Sequence, residues 1–217
     1  MNAKSVSLKI SDSIGSVSAE YIVPEKSICI ITFAHGAGAG MRHPFMTTLA
    51  NLLAENNIGT LRFNFPFTEN KKGRPDLPAV AHKTVEAAFH HANKKFPALP
   101  LFASGKSFGG RMSSQYLSDN PSPEVKGIIF YGFPLHAPGK PSTERGEHLK
   151  KVKQPMLFLQ GTKDELAKPN LIEEVCSQLP NATLIKIEGA NHAFKAGKQN
   201  ILPLLATYTK DWITKFV

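Results

Sequence analysis

Six short apolar segments, separated by amphipathic stretches, constrain this 217-residue chain more than any other feature. Residues 28–34, 59–63, 101–104, 125–131, 156–159 and 183–187 are apolar, β-branched or aromatic almost throughout. A strand without a polar face must be covered on both sides, the condition of a central strand in a parallel sheet. The covers lie between them. Phe45, Leu49, Leu52 and Leu53 recur at helical spacing in 44–56, as do Val80, Val85, Ala88, Phe89 and Ala92 in 79–95. Pro169 opens another helix, and 201–217 reads as a closing amphipathic helix bent near Pro203. Ahead of these, 6–10 and 17–23 alternate apolar with polar residues, as antiparallel strands with one solvated face do. The pattern predicts an α/β chain: one domain over 1–217, a mostly parallel central sheet with an antiparallel N-terminal start, helices on both faces and no large lid domain. The irregular stretch 133–147, rich in Pro, Gly and charge, is expected to be a loop capping a site.

Composition excludes several classes. With 41% hydrophobic residues and 14 Phe the chain buries enough apolar area to fold, and no apolar run approaches the 18 residues of a membrane span. The first 18 residues lack the apolar core of a signal peptide, so a cytoplasmic location is expected. Cys29 and Cys176 fall in a strand and a helix and read as packing residues, with no metal-ligand spacing and no implied cofactor. The net charge of +9 is spread over small groups such as Lys71, Lys72 and Arg74, without interleaved aromatics or a nucleic-acid-binding signature. Neither nucleic acid nor membrane is an expected partner. Lys140, Arg145, Lys163, Lys195 and Lys198 fall in loops expected at the active face, where they could favour an anionic substrate.

Chemistry concentrates after the strand 101–104, in Gly105-Lys106-Ser107-Phe108-Gly109-Gly110. A nucleophile on a tight strand-to-helix turn takes strained dihedrals, and glycines two positions either side let the backbone pass without a Cβ clash. The following helix points its N-terminal amides at the site, so the Phe108 N–H can hold an oxyanion. The tripeptide Gly105-Lys106-Ser107 also ends a phosphate-binding P-loop, but that motif needs glycine where Pro100 stands. After the strand 28–34 comes His35-Gly36-Ala37-Gly38-Ala39-Gly40, a turn whose amides can approach a substrate carbonyl; Ala37 is the first choice for a second oxyanion donor and Gly38 the next. The glycine spacing does not fit a dinucleotide fingerprint. Asp164 follows the strand 156–159, with Glu165 beside it as the alternative acid, and His192 follows the strand 183–187. Of eight histidines His192 alone lies C-terminal to Asp164, which completes the order nucleophile, acid, base. Phe65, Phe133 and His35 are read as candidates for the substrate wall, together with Phe67 and Phe108, and the four phenylalanines read equally well as core residues.

With these motifs in order, the sequence resembles the α/β-hydrolase superfamily in a compact form similar to dienelactone hydrolases. More closely, AHGAGAG, LRFNFPF, GKSFGGRM, FYGFPLHAPGKP, LQGTKDE and GANHAF resemble the KANL/TEX-type α/β-hydrolase-like family, over roughly residues 32–194. The resemblance implies the α/β-hydrolase fold and a serine hydrolase acting on a small-molecule acyl substrate such as a soluble ester, with Ser107, Asp164 and His192 as its triad. It also admits a binding or scaffold protein of the same fold with little turnover. One departure bears on the chemistry: dienelactone hydrolases use a cysteine nucleophile where this chain has Ser107.

Overall fold

A computed structural model describes residues 2–217. Eight strands, β1 (Lys4–Ser11), β2 (Gly15–Ile22), β3 (Cys29–Ala34), β4 (Ile58–Phe63), β5 (Leu101–Lys106), β6 (Val125–Tyr131), β7 (Met156–Gly161) and β8 (Ala182–Ile187), form one sheet in the order β1-β2-β4-β3-β5-β6-β7-β8. β1 and β2 pair antiparallel, β2 runs antiparallel to β4, and all later pairs are parallel. The residue pattern accounts for the division. β1 mixes exposed and buried positions, whereas β3, β4 and β7 are buried at every residue because helices cover both faces.

Those helices are α1 (Pro44–Glu55), α2 (Pro66–Glu69), α3 (Pro78–Lys95), α4 (Phe108–Asp119), α5 (Pro169–Ser177) and α6 (Leu202–Ile213), with a 3₁₀ helix at Glu144–Lys151. Alternate residues of β3 face opposite layers. Cys29, Ile31 and Phe33 join Met46, Leu49 and Leu53 of α1 and Leu205 and Trp212 of α6, while Ile30 and Ala34 join Ala81 and Val85 of α3 and Met112 of α4. Every α-helix but α4 has proline in its first turn, where the missing N–H has no intrahelical acceptor to lose. Pro203 sits in the first turn of α6. Among the described residues, no helix is long and apolar enough to cross a membrane.

Two details depart from the sequence reading. The four-residue helix α2 falls in a segment read as apolar wall or core, and the expected cap 133–147 is anchored toward its two ends, with Phe133, Leu135, His136 and Gly146 buried and a 3₁₀ helix beginning at Glu144, while 138–141 are exposed. The topology also locates the crevice. From β3 the chain passes to β4 on one side and, through α3, to β5 on the other, so the carboxyl ends of β3 and β5 flank a reversal of strand order, where open α/β sheets bind ligands.

Candidate active site

Ser107 stands at that reversal, between the last residue of β5 and the first of α4. Its backbone is at φ 50°, ψ −115°, a region that costs a non-glycine residue about 1–3 kcal/mol. Two glycines make the turn possible. A Cβ on Gly105 would lie 2.2 Å from the nitrogen of Gly110, and one on Gly109 would lie 2.5 Å from the carbonyl oxygen of Ala34. The strand end and the helix start thus cross in contact, and the Ser107 N–H is tied to the carbonyl of Tyr131 at the end of β6.

The loop after β7 carries Asp164 and the loop after β8 carries His192. These loops are stitched together: Thr162 N–H donates to Ile187, Lys163 N–H to Ala190, and Gly189 N–H to Thr162 Oγ1. Gly161 permits the contact, since a Cβ there would meet the Ala190 carbonyl oxygen at 2.2 Å. Asn191 Oδ1 accepts the N–H groups of Ala193 and Lys195 and so fixes the turn bearing His192. Asp164 is buried; its Oδ1 accepts the Leu166 N–H and its Oδ2 accepts Gln160 Nε2 at 2.6 Å, with Gln160 itself held by the Phe133 N–H. Glu165 is exposed.

An unbroken chain of hydrogen bonds results. His192 Nδ1 lies 2.7 Å from Asp164 Oδ2 and His192 Nε2 lies 2.8 Å from Ser107 Oγ. In the tautomer with its proton on Nδ1, the ring donates to the Asp164 carboxylate and accepts the Ser107 hydroxyl at Nε2. That is the tautomer a general base requires.

The loop after β3 supplies the opposite wall. Buried His35 accepts the Phe65 N–H at Nε2 and donates through Nδ1 to the Gly36 carbonyl; burial pushes it down to about 4, against the opposing pull of Gly36, so the ring is neutral. Arg62 donates to the Met41 carbonyl and to Glu20, Asn64 Oδ1 accepts the Met41 N–H, and Thr68 donates to Ala39. The loop is thereby braced from β2, β4 and α2. Ala37 and Gly38 are exposed at its tip, and among the described residues the amides of Ala37, Gly38 and Phe108 have no acceptor. Ala37 and Gly38 share the lining of one cleft with Ser107, and amides without an acceptor beside a nucleophile are able to receive an oxyanion.

Residues 27–207 match the profile of the family described as alpha/beta hydrolase domain. The chain belongs to that family. Among solved structures this chain is similar to a dienelactone hydrolase from Anabaena variabilis, with a TM-score of 0.79 and 18% identity over 100% of this chain and 98% of that one. An alpha-beta serine hydrolase homologue from Coxiella burnetii gives 0.79 and 21% over 98% of both chains. A serine hydrolase without lid from Xanthomonas campestris gives 0.76 and 20% over 100% and 96%. These likenesses concern the fold. A Mycobacterium tuberculosis protein named for a phosphoribosyl transferase is 25% identical over 201 residues, 90% of this chain but 43% of that protein, so the chain spans less than half of the relative's length.

The protein has a cleft of about 420 Å³ over Ser107 and His192, lined by Ala37, Ala39, Phe45, Met46, Leu166 and Ala193 among others. The substrate wall expected from sequence is corrected here. Phe65 and His35 are fully buried and pack against each other at 5.1 Å, and Phe133 is buried between Phe130 and Phe158. Phe65 and Phe133 lie just past the ends of β4 and β6, and both join the same buried cluster. Phe67 and Phe108 pack into the same cluster. No residue of 133–147 lines the cleft, and neither do Lys163, Lys195 or Lys198. The wall instead takes Phe45 from α1, read from sequence as a core stripe, and Leu166 from the loop after Asp164. The stem of Lys106 lines it too; its only sequence signal was its place inside the nucleophile motif.

Proposed function

We propose that the protein is a serine esterase of small soluble acyl substrates. The observation that carries this reading is the hydrogen-bond chain from Ser107 Oγ through His192 to Asp164, on a turn strained at the serine alone. In the reaction, Ser107 Oγ attacks the ester carbonyl while His192 Nε2 takes its proton. Asp164 holds the ring and stabilises the imidazolium that forms. The oxyanion is received by the Phe108 N–H at the start of α4, where the helix dipole adds to it, and by the N–H of Ala37, with Gly38 as the alternative donor. His192 then returns the proton to the leaving alkoxide, and water, activated by the same imidazole, releases the acyl group from Ser107.

The shape of the cleft supports the size of the substrate. Its small apolar lining of Ala37, Ala39, Phe45, Leu166 and Ala193 suits a short acyl group. A panel of p-nitrophenyl esters graded by acyl length tests this: kcat/KM is expected to be highest for acetyl and butyryl esters and to fall with longer chains. A preference for the longest chains, or no turnover of any ester, would contradict the reading.

A further inference from the structure

The Lys106 ammonium has no role in the steps above, yet its Nζ is fully covered and has no hydrogen-bond partner among the described residues. The residue lines the cleft, and its Nζ lies close to the Asp164–His192 pair. A Cβ placed on Gly132, at the end of β6, would lie 3.2 Å from Lys106 Nζ, 3.5 Å from Asp164 Oδ2 and 3.6 Å from His192 Cε1. Ammonium, carboxylate and imidazole therefore surround one methyl-sized space, which Gly132, at φ 71°, leaves open. On its other side the ammonium faces the rings of Phe45 and Phe194, 5.9 and 5.4 Å from their centroids, and these rings stack on each other. Ring faces are weak partners for a cation compared with a carboxylate or water. The charged groups facing it are Asp164 and Glu165 from the loop after β7 and His192 from the loop after β8; α1 and β6 bring Phe45 and Gly132, which carry no charge. Lys163 and Lys195, the neighbouring cations of these loops, are exposed.

We infer that Lys106 is a positioning residue for the charge state of the Asp164–His192 pair, its ammonium opposing protonation of the resting imidazole. The inference rests on the serine esterase reading. A buried carboxylate beside a histidine favours imidazolium, which cannot accept the Ser107 proton; a second cation across the same space works against that trap. Burial pushes the Lys106 ammonium down to about 8, while Asp164 and Glu165 hold it up, so the lysine keeps its charge through the acidic and neutral range where the trap matters. The arrangement costs stability. A lysine whose folded value lies below its unfolded one disfavours the fold while charged, and the penalty fades only as pH rises from about 8 toward the ordinary lysine value.

The test compares the pH dependence of kcat/KM on a short ester, from about pH 5 to about pH 9, for the wild type, Lys106→Met and Lys106→Gln, with Tm measured alongside. Both neutral side chains should move the acidic limb upward by about one pH unit, roughly a tenfold loss at a fixed pH below it. Lys106→Met should melt at or above the wild type. The two variants differ in polarity, so a folding failure of one leaves the other to decide. An acidic limb that stays in place in a folded variant, while turnover still requires Ser107, overturns the inference alone. Ester turnover that does not require Ser107 removes the esterase reading and this inference with it.

Discussion

Ser107→Ala is expected to lower kcat by roughly 10⁴- to 10⁶-fold while leaving Tm within a few degrees of the wild type. The size of the loss follows from what remains. Without Oγ there is no acyl-enzyme, and His192 has no hydroxyl to deprotonate, but the cleft and the amides of Ala37 and Phe108 persist, so water attacking directly retains part of the catalysis. The fold should survive because Ser107 is only half-buried and its side chain bonds to His192 alone. Measuring kcat on a short ester together with Tm checks both halves. A variant as active as its parent would remove Ser107 from the mechanism.

Gly105→Ala is expected to be the most damaging single-methyl change in the site. The new Cβ would meet the nitrogen of Gly110 at 2.2 Å and the carbonyl carbon of Gly109 at 2.4 Å, both backbone atoms that cannot rotate away. Relief requires moving the start of α4, and α4 sets both the Phe108 amide and the direction of Ser107. A loss of about 3 kcal/mol or more is expected, which for a chain of this size lowers Tm by about 6 °C or more. Activity should fall with it. Gly73→Ala is the control: nothing lies within 4 Å of a Cβ there and its φ is not positive, so its Tm should stay near the wild type. Equal Tm values for the two variants would contradict the packing described at the elbow.

Which parts of this were legible in the sequence follows from how local each signal is. Strands buried on both faces need unbroken apolar runs, so β3, β4 and β6 were visible at nearly their observed bounds. Ser107, Asp164 and His192 were visible as candidates because each stands where a strand gives way to a loop, in the order such enzymes use. The direction in which a side chain points after a strand ends was not visible. Phe65 and Phe133 sit beside functional loops, where they read as substrate wall or core, and both are buried; Phe45 sits in a helical stripe and looks like core, but it is only partly buried and lines the cleft. Lys106 is the sharpest case. A lysine in a turn reads as solvated, and only the closing of the Phe194 and Phe45 rings over it, with Gly132 leaving space beneath, reveals a buried cation beside the acid–base pair.

Activation of Ser107 as a nucleophile by its surroundings is tested, without knowledge of the substrate, by reaction with a fluorophosphonate. After incubation, digestion and mass spectrometry, the adduct is expected on Ser107, to form faster as pH rises from about 6 to about 8, and to form far more slowly in His192→Ala. No adduct on Ser107 at any pH in that range, or labelling unaffected by loss of His192, would contradict the account.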